Sequence, residues 1–182
     1  MIFPTYPTIN TIKDVTIILK VGTNRATKWF EQKINKYPYD KVFTHAFLYL
    51  TQGDCVDVGF TTSLRKLHDI MKSKAEYLSI HLDDLTKRQR SKALSIGYNK
   101  AGAKSKKFKF YDVWGYVAFG LRRLGMKKVK GSKRYDFCSD QVVDVLKEVG
   151  YKLFDDVDSE TTSPCDLFLL LEDYPDADIA WL

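Results

Sequence analysis

This sequence of 182 residues has few cysteines and no long apolar segment, and both shortages exclude classes of protein. Its three cysteines (Cys55, Cys138 and Cys165) are neither an even set nor a Cys-x-x-Cys pair, which argues against a disulfide framework and a cysteine-rich zinc site. The longest uninterrupted apolar runs, Ala46–Leu50 and Leu167–Leu171, are far shorter than the roughly 18 residues of a membrane-spanning helix. We therefore expect no membrane span and no bound metal.

Internal repeats, low-complexity tracts and flexible linkers are also lacking, so no second domain has a boundary at which to begin. We predict one domain over residues 1–182. The N-terminal segment has no basic stretch that leads into an apolar one, which predicts a cytoplasmic protein without an export signal, with delivery by a phage or another non-classical route as the alternative. Apolar residues make up 45% of the chain and aromatic residues 14%, enough for one hydrophobic core, so wholesale disorder is excluded.

The net charge of +6 is unevenly distributed. Eleven basic residues and one acid lie in Lys104–Arg134, whereas the chain from Leu153 onward has nine acids and no base. Such a basic segment could contact nucleic acid or another polyanion. We favour the alternative of a solvated surface, because the apolar stretch Val113–Leu121 divides the cluster and no nucleic-acid-binding motif accompanies it.

Hydrophobic periodicity divides the chain into early strands and later helices. Strands are predicted at Asp14–Lys20, Phe43–Leu50, Cys55–Phe60, Tyr77–Leu82 and Ser163–Leu171, with a hairpin turn at residues 51–54. Helices are predicted at Ala26–Lys36, Thr86–Ala103, Asp112–Leu124 and Ser139–Val149, the last capped by Gly150. This order predicts an α+β domain with a largely antiparallel sheet.

Cys138 is the best candidate for a nucleophile, because it directly precedes the clearest amphipathic helix. Free N–H groups and the positive end of the helix dipole favour a thiolate there. The dipole contributes roughly 0.3–1 kcal/mol, less than the ~1.36 kcal/mol that corresponds to one pKa unit, so a cationic partner is required. His45 is the best partner, since a packed sheet would hold its ring. The alternative is a structural Cys138 that packs as a small hydrophobe.

The other histidines and thiols are weaker candidates. His81 alternates away from the apolar side of its strand, which predicts solvent exposure. His68 falls on the apolar side of a short helix, which predicts a packing role. Neither Cys55 nor Cys165 is predicted to stand at a helix start that would activate it.

Four motifs carry a resemblance to a known family. They are Thr44–Leu50, Val56–Phe60, Phe137–Val143 and Ser163–Leu167, in that order. The order resembles that of circularly permuted NlpC-type, papain-like cysteine hydrolases of the YiiX/YaeF kind, distant relatives of the lecithin:retinol acyltransferase group. In that family the histidine strand precedes the cysteine helix, and here 93 positions separate His45 from Cys138.

The resemblance implies a permuted papain-like fold with the nucleophile at a helix N-terminus. It also implies Cys138 as nucleophile, His45 as general base and Asp57 as the residue that orients the histidine. By the same analogy Tyr111 lines the substrate cleft, with a packing role as the equal alternative. No cofactor is implied, and the substrate would be an amide or ester in a peptide, a cell-wall fragment or an acyl conjugate. Asp57 stands where the family often has Glu, which makes its role the weakest part of the match. The alternative is an idle scaffold that binds nucleic acid or another polyanion through Lys104–Arg134.

Overall fold

The computed structural model describes residues 12–23, 25–33, 36–58, 62–72, 75–102, 121 and 138–182. Six strands form one antiparallel sheet in the order β4-β3-β2-β1-β5-β6. The strands are β1 (Thr16–Val21), β2 (Phe43–Tyr49), β3 (Asp54–Val58), β4 (Thr62–Lys66), β5 (Tyr77–Leu82) and β6 (Ala177–Trp181). The helices are α1 (Arg25–Lys33), α2 (Leu67–Ile70), α3 (Lys87–Gly102), α4 (Cys138–Glu148) and α5 (Pro164–Leu171), with 3₁₀ turns at Lys152–Phe154 and Ser159–Thr161. The predicted α+β class with an antiparallel sheet is confirmed.

The predicted hairpin joins β2 to β3 through a tight turn. Gln52 and Gly53 both have positive φ, at 49° and 83°, the combination that matches the right-handed twist of paired strands. The Asp54 N–H donates to the Thr51 carbonyl oxygen at 2.8 Å and closes the turn. This turn sets the register of the two strands that carry His45 and Asp57.

The sheet buries side chains on both faces. On one face, Ala46 and Leu48 of β2 belong to the same apolar cluster as Val142 and Leu146 of α4. On the other face, Phe47 belongs to a smaller cluster that includes Leu67, Ile70 and Tyr77. Helix α4 ends as predicted, with Gly150 following it at a φ of 76°. Packing against β2 therefore places the start of α4 relative to the sheet.

The prediction of a strand at Ser163–Leu171 is wrong, because this segment contains helix α5. Ser163 is its N-cap, and its hydroxyl accepts a hydrogen bond from the Asp166 N–H, while the Asp166 carboxylate accepts one from the Ser163 N–H. Pro164 occupies the first turn. This start signal outweighs the apolar run that follows it.

Strands β4 and β6 were not predicted. Both lie at the edges of the sheet that the described strands form, and their apolar alternation is weak. The predicted helix Asp112–Leu124 and the basic segment Lys104–Arg134 lie outside the described residues, apart from Leu121. Among the described helices, none has the length and apolar character needed to cross a membrane.

Candidate active site

Strand β2 has a β-bulge directly before His45. Lys20 of β1 pairs with His45, but the next residue, Val21, pairs with Phe43, so Thr44 is an extra residue in β2. The Thr44 side chain fills the space above Gly22, where an added Cβ would lie 2.0 Å from Thr44 Cγ2. Bulges bend a strand and redirect its side chains. A residue without a Cβ at position 22 therefore permits the bulge that precedes His45.

His45 and Asp57 meet across the β2–β3 hairpin. The pairs Leu48–Val56 and Tyr49–Cys55 continue to a position where Asp57 is a diagonal neighbour of His45 on the same sheet face. His45 Nε2 lies 2.6 Å from Asp57 Oδ1. The hairpin thus brings Asp57 to the histidine that the resemblance implies it orients.

The carboxylate of Asp57 is buried but held by two cations. Asp57 is only 4% exposed, and Arg65 Nη1 donates to its second oxygen, Oδ2, at 2.9 Å. Burial by itself would raise the pKa of Asp57, but the hydrogen bonds and charges of His45 and Arg65 more than offset this and lower it. Asp57 is therefore an anion that faces the imidazole.

Cys138 is the first residue of α4, and its side chain interacts with the His45 ring. Because Nε2 is engaged by Asp57, the ring nitrogen that remains for Cys138 is Nδ1. Burial would lower the pKa of His45. The electrostatic contribution of Cys138, the hydrogen bonds to Asp57 and Cys138, and the Asp57 charge raise it to about 10. The His45 ring therefore interacts with a carboxylate, Asp57, and with the side chain at the start of α4, Cys138.

The other two thiols are buried. Cys55 has no exposed surface, and burial raises its pKa to about 12. Cys165 is 1% exposed, and its S–H donates to the Phe43 carbonyl oxygen at 3.4 Å. Cys138, by contrast, is partly exposed. Of the three thiols, it is the one that a substrate could reach.

The expectations for the other two histidines are wrong. His68 is exposed, because the short helix α2 buries Leu67 and Ile70 instead. His81 is 5% exposed, since β5 lies between β1 and β6 and Arg90 contacts the ring.

His81 is a neutral histidine with both ring nitrogens satisfied. The Thr16 hydroxyl donates to the Lys13 carbonyl oxygen, so it accepts from His81 Nδ1–H at 3.0 Å. Arg90 Nη1 donates to Nε2 at 3.0 Å. Burial, followed by the charge of Arg90, lowers the pKa of His81 to about 4. His81 is therefore a structural residue rather than a second catalytic candidate.

Two residues of the site were missed by sequence analysis. Arg65 lies on β4, which was not predicted, so nothing in the sequence connected it with Asp57. Gln141 follows Cys138 by one helical turn, is 6% exposed, and has no hydrogen-bond partner for either amide atom among the described residues. The i, i+3 spacing would have identified Gln141 as a neighbour of Cys138.

Models of known protein families do not match this sequence, and neither does any curated protein. Tyr111, the expected cleft residue, lies outside the described residues. Within the described part of the chain, no group of three or more His, Cys, Asp or Glu residues is arranged to hold a metal ion. The function must therefore be inferred from the geometry of Cys138, His45 and Asp57.

Proposed function

We propose that this protein is a thiol hydrolase, or an acyltransferase of the same chemistry, that cleaves an amide or ester bond. The observation that carries this proposal is the position of His45 between a buried carboxylate and the thiol at a helix start. A nucleophile, a proton carrier and a group that orients the carrier are the three parts that covalent acyl transfer requires.

In the first half of the reaction, the Cys138 thiolate attacks the carbonyl carbon, and a carbon–sulfur bond forms as the carbonyl electrons move to oxygen. The backbone N–H at the start of α4 supports this oxyanion. Collapse of the intermediate breaks the bond to the leaving nitrogen or oxygen. His45, protonated at neutral pH because its pKa is about 10, donates Nδ1–H to that leaving group. The product is an acyl thioester on Cys138.

In the second half, water or another molecule that will receive the acyl group attacks the thioester, and neutral His45 takes a proton from it. The thiolate leaves, and the imidazolium forms again. His45 thus acts first as an acid and then as the general base expected from the sequence. Asp57 holds Nε2–H and stabilises each imidazolium through its charge.

The chain order supports a permuted papain-like scaffold as part of this proposal. The histidine strand β2 precedes the cysteine helix α4, and the two elements pack together. Peptides, cell-wall fragments and acyl conjugates all present a suitable carbonyl. The alternative of a polyanion-binding protein depends on Lys104–Arg134, which lies outside the described residues and so has no structural observation in its favour.

Competitive alkylation tests the ion pair without a known substrate. The protein is treated with iodoacetamide at mildly acidic pH, where an ordinary thiol is almost entirely protonated, and labelling is followed by peptide mass spectrometry. Cys138 should react much faster than Cys55 and Cys165, whereas the urea-unfolded chain should label all three at similar slow rates. Equal rates for Cys138 in folded and unfolded protein would overturn the proposal.

Acyl transfer is tested with activated esters and peptide amides. A mass increase equal to the acyl group should appear on Cys138 in wild-type protein and be absent from Cys138→Ala. The matched variants Cys55→Ala and Cys165→Ala should keep the adduct, because both thiols are buried outside the site. Full turnover of any substrate by Cys138→Ala would remove the mechanism.

A further inference from the structure

We propose that Arg65 is a positioning residue of this site, which holds the second oxygen of Asp57 and balances the charge of the Cys138–His45–Asp57 arrangement. The inference rests on the proposed function and adds a fourth residue to it. It is carried by the geometry of three adjacent strands.

Asp57 lies on the middle strand of the three. On one side, His45 of β2 places Nε2 2.6 Å from Asp57 Oδ1. On the other side, Arg65 of β4 donates from Nη1 to Asp57 Oδ2 at 2.9 Å. The pairs Cys55–Arg65 and Asp57–Ser63 make Arg65 a diagonal neighbour of Asp57. A carboxylate held at both oxygens from opposite sides cannot rotate away from the imidazole. Arg65 therefore fixes the acceptor that orients His45.

The charge count gives Arg65 a second effect. Thiolate, imidazolium and carboxylate together carry a net charge of −1, and the guanidinium of Arg65 makes the group neutral. Uncompensated charge in a buried site is costly, so loss of Arg65 should favour proton uptake and disfavour the Cys138 thiolate.

The other charged groups around the site do not replace Arg65 on Asp57. Lys20 of β1 is the direct cross-strand neighbour of His45 and repels an imidazolium rather than binding the carboxylate. Lys66 is next to Arg65 in β4, but its ammonium pairs with Asp54 at 2.5 Å. Of the lysine and arginine side chains that the structure describes, Arg65 is the one that pairs with Asp57.

A surface ion pair is the competing interpretation, because 47% of the Arg65 side chain is exposed. Exposed pairs contribute only about 0–1 kcal/mol to stability and need not affect chemistry. Here, however, the Asp57 side chain is only 6% exposed, so one partner is desolvated. The two interpretations differ in whether the pH dependence of Cys138 changes.

The test compares the pH dependence of Cys138 alkylation by iodoacetamide in wild type, Arg65→Gln, Arg65→Lys and Lys66→Gln. In Arg65→Gln, labelling should begin at higher pH and be roughly three- to tenfold slower at acidic pH, because one nearby positive charge is lost. Arg65→Lys should stay close to wild type. Lys66→Gln removes the same charge from the same strand and should leave the profile unchanged.

Superimposable profiles for wild type and Arg65→Gln would overturn the role of Arg65, as would an equal shift in Lys66→Gln. Failure of the proposed function has a different signature, which is slow Cys138 labelling in wild type itself. Urea midpoints verify that each variant folds. If Arg65→Gln does not fold, Arg65→Thr removes the same charge with a residue that favours strands and gives the same comparison.

Discussion

The protonation of His45 offers a direct measurement of the site, and two substitutions separate its causes. In the folded protein, the charge of Cys138 and the hydrogen bond and charge of Asp57 overcome burial and raise the pKa of His45 to about 10. Cys138→Ala removes the larger of the two charge contributions. Asp57→Asn removes the carboxylate charge but keeps an oxygen that can accept from Nε2–H. We expect the titration midpoint of His45 to fall in both variants, and further in Cys138→Ala.

The expected size follows from the geometry of the pair. His45 Nε2 and Asp57 Oδ1 are 2.6 Å apart, so the centres of the two charges are roughly 4 Å apart. At an effective dielectric constant of about 20, such charges interact by roughly 4 kcal/mol, which is equivalent to about three pH units at most. In Asp57→Asn, the retained hydrogen bond keeps the pKa of His45 raised, whereas the Arg65 charge, no longer paired with a carboxylate, lowers it. We therefore expect the midpoint in Asp57→Asn to fall by about one to two pH units.

The assay is a pH titration of the imidazole ring signals by NMR. The chain has three histidines, so the spectrum is simple, and loss of one signal in His45→Gln assigns His45. Because its pKa is raised, His45 should stay protonated through neutral pH and lose its proton only as the pH rises through about 10. A wild-type midpoint near the ordinary 6.5 would refute the ion pair. Equal midpoints in wild type and Asp57→Asn would refute the role of Asp57.

Two further predictions concern the supports of the site and of the fold. Gly22→Ala should lower Cys138 reactivity and acyl transfer while the protein still folds, because the added Cβ would force Thr44, and with it His45, to shift. An unchanged alkylation rate would contradict this. His81, with a folded pKa of about 4, takes up its proton more readily when unfolded, so its contribution to stability is lost as pH falls from about 6.5 towards 4. Between neutral pH and pH ~4.5, the free energy of unfolding measured with urea should fall by about 2–3 kcal/mol more in wild type than in His81→Gln. An equal fall in the two proteins would refute this.

Local patterns in the sequence predicted the elements that depend on nearby residues. The apolar spacing after Cys138 and the glycine at position 150 predicted helix α4, and the turn around Gly53 predicted the β2–β3 hairpin. These features depend on contacts within a few residues, so their signals are contained in short segments. The same kind of local signal, the capping box at Ser163, was present for α5, but the apolar run after it was interpreted as a strand.

Contacts between distant segments decided the rest. The burial of His81 depends on β6, which pairs with β5 although 94 residues separate the two strands along the chain. Arg65 reaches Asp57 only because β4 pairs with β3. The sequence of β4 is largely polar and lacks the apolar alternation from which a strand could be predicted.

The sequence by itself determined which residue could be a nucleophile, because a thiol at the start of an amphipathic helix is a local feature. It also determined the hairpin that brings Asp57 to His45, since a tight turn sets strand register directly. Only the tertiary structure decided that Cys138 meets His45, because that contact depends on how α4 packs against β2. It also decided that Arg65 binds the buried carboxylate of Asp57, since pairing of β4 with β3 and the burial of a carboxylate depend on the whole fold rather than on any one segment.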